Sequence, residues 1–106
     1  MRVISQDGTI DTPYELSMIW IREKYGYTVI ANMPNDEPAG LGKYSSREKA
    51  LKAMEMLREA YNNNEFYHRT ATTNTFQETI GLLSNEKFKE VTSEYFQFPQ
   101  DEEIEV

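Results

Sequence analysis

Ser45-Ser46-Arg47-Glu48-Lys49-Ala50-Leu51-Lys52-Ala53-Met54-Glu55-Met56-Leu57-Arg58-Glu59-Ala60-Tyr61 is the stretch whose reading decides the fold. Ala50, Met54, Leu57 and Tyr61 recur at spacings of four, three and four, which places them on one face of an α-helix. Leu51 broadens that face, and Glu48 with Lys52 is a favourable i,i+4 pair. Ser45 followed three residues later by Glu48 reads as a capping box, each side chain satisfying an orphan backbone N–H. Asn62-Asn63-Asn64 is expected to stop the helix, because Asn tolerates the left-handed conformation of a C-cap. A helix from about Ser46 to Tyr61 with one apolar face needs a sheet to cover.

The preceding residues supply it. Arg2 to Ser5 runs into Asp7-Gly8, a hairpin turn signal, and Thr9 to Thr12 is the expected returning arm, ended by Pro13. Ser17-Met18-Ile19-Trp20-Ile21-Arg22 is rich in β formers. It turns near Glu23-Lys24-Tyr25-Gly26, and Tyr27-Thr28-Val29-Ile30-Ala31 runs back. Asn32 to Gly42 is a Pro- and Gly-containing loop, and a short strand through Leu41 to Tyr44 closes the N-terminal sheet. After the helix, Phe66 to Thr73 reads as strand or loop, Phe76, Ile80 and Leu83 as a second short helix, and Tyr95-Phe96-Gln97-Phe98 as a final strand. The expected fold class is therefore α+β: an N-terminal antiparallel sheet of hairpins packed on one long helix, with a short helical segment and a last strand. One domain spans residues 1–100, and residues 101–106 form a solvated acidic tail.

Composition bounds the chemistry. At 106 residues the chain holds one domain, and a domain this size buries only about two-thirds of its unfolded surface. There is no cysteine, so disulfides, thiolate catalysis and cysteine-ligated zinc are excluded. No apolar run suggests a signal peptide or a membrane span, so the expected location is cytoplasmic. The net charge is −7, but Asp101, Glu102, Glu103 and Glu105 crowd the end; without them 14 acids face 11 bases. Such a body does not bind a phosphate backbone unaided, so direct nucleic-acid binding is not expected.

No catalytic motif stands out. The single histidine, His68, has no nucleophile motif near it, and no G-x-S-x-G, Walker, H-E-x-x-H or calcium-loop spacing occurs. Neither a metal nor a cofactor is expected. Ser45-Ser46-Arg47 opens a helix whose free N–H groups could hold one phosphate, although an ordinary cap is the simpler reading. The denser cluster is Arg58, Tyr61, Asn62-Asn63-Asn64, Phe66, Tyr67, His68 and Arg69, which interleaves cations, rings and amides over twelve positions. Rings stack on bases, amides read their edges and guanidinium forks take phosphates. Arg58, Tyr61, Phe66, His68 and Arg69 are accordingly the candidate ligand-binding residues.

Three blocks carry a resemblance: Met1 to Ile10 with Pro13-Tyr14-Glu15; Tyr44-Ser45-Ser46 through Lys49 to Arg58; and Phe96-Gln97-Phe98-Pro99 before the acidic end. In these the chain resembles small proteins of phages and prophages from Gram-positive gut bacteria. In layout and helix block it is also similar to the first-described Thoeris anti-defence family, phage sponges for cyclic ADP-ribose isomers made by bacterial immune enzymes. The resemblance implies a sheet with helices, a homodimer or higher oligomer, and a cyclic nucleotide signal held without cleavage. The five candidate residues rest on their own chemistry and position. The rival expectation is a phage protein that inhibits a host protein, as an acidic DNA mimic would. A small hydrolase is the third, and it requires a nucleophile beside His68.

Overall fold

The structure, a computed structural model, describes residues 1–33, 37–70 and 94–105. Among these residues two three-stranded sheets and one long helix share a core, bearing out the α+β expectation in a more divided form. β1 (Arg2–Ile4) pairs antiparallel with β2 (Asp11–Pro13) and parallel with β6 (Tyr95–Gln97), giving the order β2-β1-β6. β3 (Met18–Glu23), β4 (Tyr27–Asn32) and β5 (Ala39–Tyr44) form an antiparallel meander. The single N-terminal sheet expected from sequence is thus two sheets. The last strand belongs to the first of them.

The turns follow their residues. Glu23 faces Tyr27 across Lys24-Tyr25-Gly26, with Tyr25 at φ 55° and Gly26 at φ 106°. Asp7-Gly8 sits in a loop from Ser5 to Ile10, longer than a two-residue hairpin, with Gly8 at φ 76°. The Asp7 carboxylate accepts the Ser5 hydroxyl at 2.7 Å and both the hydroxyl and N–H of Thr9, at 2.7 and 3.0 Å. The Thr9 hydroxyl, ahead of Ser5, holds its pKa at about 2.

α1 runs from Arg47 to Thr70, well past its expected end. Ala50, Ala53 and Leu57 are buried in the shared core, with Met54 packed beside them, and α1 lies on β4 and β5. Leu51 is exposed, so it does not broaden the buried face. The Asn triplet does not stop the helix, because Asn64 falls seven residues after Leu57 and continues the buried stripe, only 1% exposed. The segment beginning at Phe66 is therefore helix through Thr70, where strand or loop was expected. The expected short helix at 76–91 lies outside the described residues. The capping box also shifts: Ser46, not Ser45, caps α1, its hydroxyl accepting the Lys49 N–H at 3.2 Å.

Residues 101–105 are not a free tail. Asp101–Glu103 form a 3-10 turn and Ile104 is buried in the core with Val3, Leu41, Tyr44, Leu57 and Phe98. The Asp101 carboxylate accepts the Ser45 N–H at 2.8 Å and the Ser45 hydroxyl at 3.1 Å, and Lys49 Nζ lies 3.5 Å from it. Chiefly the Ser45 N–H lowers its pKa. An acid of this chain therefore sits just ahead of α1, on Ser45 and beside Lys49, near the N–H groups that could hold a phosphate. Acid-rich composition concealed both a helix-start anion and a core isoleucine.

Gln6 joins the two sheets at their seam. Its backbone N–H donates to Leu41 O at 2.7 Å, its side-chain carbonyl accepts the Lys43 N–H at 2.7 Å, and its amide donates to Pro99 O at 2.9 Å. Tyr44, 2% exposed, donates its hydroxyl to the same Pro99 carbonyl at 2.8 Å. Gly42 makes room for that ring: a Cβ there would stand 3.0 Å from it. No helix among the described residues is long and apolar enough to cross a membrane.

Candidate functional site

Pro13 ends β2 in extended backbone and turns the chain into a 3-10 turn, Tyr14–Leu16, that reaches the middle of α1. Between this turn, the start of β3 and α1 lies a cleft of about 470 Å³. Ile19, Met54 and Leu57 form its apolar base, and Tyr14, Glu15, Ser17, Arg58 and Tyr61 complete the lining. The Tyr14 and Tyr61 rings stack at 4.3 Å between centroids with 29° between planes. That contact fixes one ring to the sheet side and the other to the helix, giving the cleft an aromatic wall.

The charges are unequal in their commitments. Among the described residues Arg2, Arg47, Lys49 and Lys52 pair with Asp11, Glu23, Asp101 and Glu55. Arg22 and Lys24 lie over the rings of Trp20 and Tyr25. Arg58 and Lys43 have neither kind of partner among those residues, and each lines a cleft. Lys43's cleft, of about 240 Å³, contains Ser5, Gln6, Asp7 and Thr28 but no ring. Among the described residues Arg58 alone combines an uncommitted guanidinium with aromatic neighbours.

One carboxylate, Glu15, lines the larger site, and a second, Glu65, stands beside Tyr61. Glu15 binds the Met1 ammonium at 2.7 Å, and that hydrogen bond lowers its pKa. Tyr61's phenol is raised, first by desolvation and then by the charges of Glu65 and Glu15, so it stays a neutral donor and stacking ring. The cleft therefore offers a cationic fork, one carboxylate shared with the Met1 ammonium, and a planar surface together.

Of the five residues proposed from sequence, Arg58 and Tyr61 meet in this cleft. His68 stands two turns beyond Tyr61, exposed, with Nε2 3.4 Å from the Glu94 carboxylate. Phe66 follows Tyr61 by five residues, about 140° around the helix, and so faces away from Tyr61's side. Arg69 lies on α1, and its side chain is outside the described set. Tyr14, Glu15 and Ser17 escaped the sequence reading. Their only signal was a Pro-Tyr-Glu run in a stretch too short for any periodicity. Among the described residues no group of acids and histidine has the geometry of a metal site. No family model, curated protein or solved structure matches the chain.

Proposed function

We propose that this protein is a non-enzymatic binder of a phosphorylated nucleoside ligand, of the cyclic nucleotide signal class, seated in the Tyr14–Arg58–Tyr61 cleft. The observation that carries the reading is Arg58, a guanidinium without an ion-pair partner among the described residues, beside a stacked tyrosine pair. In a chain of net charge −7 the long-range field repels an anion. Arg58 is exposed, so capture rests on short-range, bidentate Arg–phosphate bonds made as the ligand itself covers the guanidinium. The tyrosine wall offers a face for the base. Glu15 and Glu65, unfavourable to phosphate, suit ribose hydroxyls, which carboxylates accept in dinucleotide sites. A phage sponge for cyclic ADP-ribose isomers, acting in the host cytoplasm, matches this inventory and the sequence resemblance alike. A sponge requires no catalytic group.

The acidic-mimic alternative is less well supported by the placement of the terminal acids. A mimic needs a row of free carboxylates on an ordered surface. Asp101 is bound to Ser45 and Lys49, and Glu103 accepts the Gln100 N–H at 2.9 Å. Only Glu102 and Glu105 of the four face solvent without a recorded partner.

The test is to mix the purified chain with cyclic ADP-ribose isomers and cyclic oligonucleotides, desalt it, release bound compounds by heat and weigh them by mass spectrometry. An intact cyclic nucleotide recovered from the native chain and lost with Arg58→Ala supports the proposal. Recovery of a cleaved product would make the protein an enzyme, and recovery of nothing would remove the ligand class.

A further inference from the structure

The two edges of the β3-β4-β5 sheet are finished differently. β5 is sealed by Gln6, whose backbone and side chain bond Leu41 O and the backbone C=O and N–H of Lys43. β3 carries no strand or side-chain cover on its outer edge among the described residues. It is six residues long and holds no Pro, Gly or Lys, the devices that normally blunt an open edge. Met18 is 65% exposed and Leu16, just before the strand, 63%. Trp20 shows its ring on the same face as Met18 while its N–H is satisfied by Asn32 at 2.7 Å.

We propose that this edge is a homodimer interface, in which β3 of a second copy pairs antiparallel about a twofold axis through Trp20. The sequence of the strand supports self-pairing in one register. With Trp20 opposite Trp20, Ile19 meets Ile21 on the core-facing side, and Met18 meets Arg22 on the other. Both sheet faces then continue across the axis without a flip. The aliphatic stem of Arg22 covers the exposed Met18, and Glu23 falls opposite Ser17. Sliding by two residues either way sets Glu23 or Ser17 against an isoleucine on the apolar side. No like charges meet, and the Ser17–Lys24 segment carries two cations and one anion, unlike the acidic whole. Pairing supplies roughly four to six backbone hydrogen bonds. It also sets Ile21 of the second copy beside Ile19 at the base of the cleft, so each copy would help to wall the other's site.

Sedimentation velocity on the full chain over a concentration series tests the interface without any ligand. The 12.4 kDa chain is expected to dimerise reversibly. Met18→Lys, facing Arg22 across the axis twice, is expected to weaken the dimer roughly 5- to 30-fold. Adding Arg22→Glu should restore it, because the opposed pairs become complementary. The sole tryptophan reports independently: its emission should shift to the red on dilution through the transition. A monomer at all concentrations, a dimer indifferent to Met18→Lys, a failed rescue, or unchanged emission across dissociation would each overturn the proposal. Far-UV circular dichroism of each variant separates these outcomes from misfolding.

Discussion

From Arg47 to Leu57, α1 packs on β4 and β5, and most of its charged groups have partners. Ser46 caps it, Arg47 bonds Glu23 at 2.7 Å, Lys49 meets the Asp101 turn, and Ala50, Ala53 and Leu57 are buried. From Arg58 onward the same helix carries a cation without a recorded partner, a tyrosine stacked on the 3-10 turn, and one buried amide, Asn64. The first half is organised around folding. Besides the buried Asn64, the second carries Arg58 and Tyr61 of the cleft, the groups the proposed ligand would use. Variants of the two halves should therefore separate stability from binding.

The largest expected loss follows deletion of residues 101–106, which removes both the acid at the start of α1 and Ile104 from the core. Ile104→Ala alone should cost about 2–5 kcal/mol, and the deletion more. In thermal unfolding that is a fall in Tm of roughly 10 °C or greater. A change of only a few degrees would return these residues to the status of a free tail. Leu57→Ala, at 2% exposure, is likewise expected to cost about 2–5 kcal/mol. A loss under about half a kilocalorie by denaturant titration would dissolve the contrast between the halves.

Asn64→Ala should cost about 1–3 kcal/mol, the usual penalty for disturbing a buried polar group. It is the one residue of the second half expected to matter for folding, and a silent substitution would deny it the role of continuing the core stripe. Acid titration gives a smaller effect. The Asp101 pKa is depressed in the folded state, so its contribution is full above its unfolded value of 3.8 and is lost as pH falls through the folded value. Asp101→Asn should flatten that part of the acid limb while leaving neutral-pH unfolding cooperative.

Much of this was legible in the chain. Runs of β formers marked β3 and β4, and the 3.6-residue period marked α1, because burial on one helix face imposes that repeat. The helix end was misread because the triplet's composition signals a stop, whereas the position of Asn64 relative to Leu57 signals continuation. Burial outweighed propensity there. The cap moved by one residue because Ser45 is engaged by Asp101, a contact 56 positions away that no local motif announces. Half of the cleft was readable, since Arg58 and Tyr61 share a helix face. Its other wall, Tyr14 and Glu15, comes from a three-residue turn whose place is set by Pro13 and by tertiary packing.

The central claim is that Arg58 serves a ligand and not the fold, and titration calorimetry with cyclic ADP-ribose isomers addresses it most directly. Arg58→Ala should leave Tm within the change expected of about 0.5 kcal/mol. Affinity for the ligand should fall roughly 10- to 150-fold, because a hydrogen bond to a charged group is worth about 1.5–3 kcal/mol. Equal binding by both chains, or no heat from the native chain at high micromolar concentration, would contradict the account.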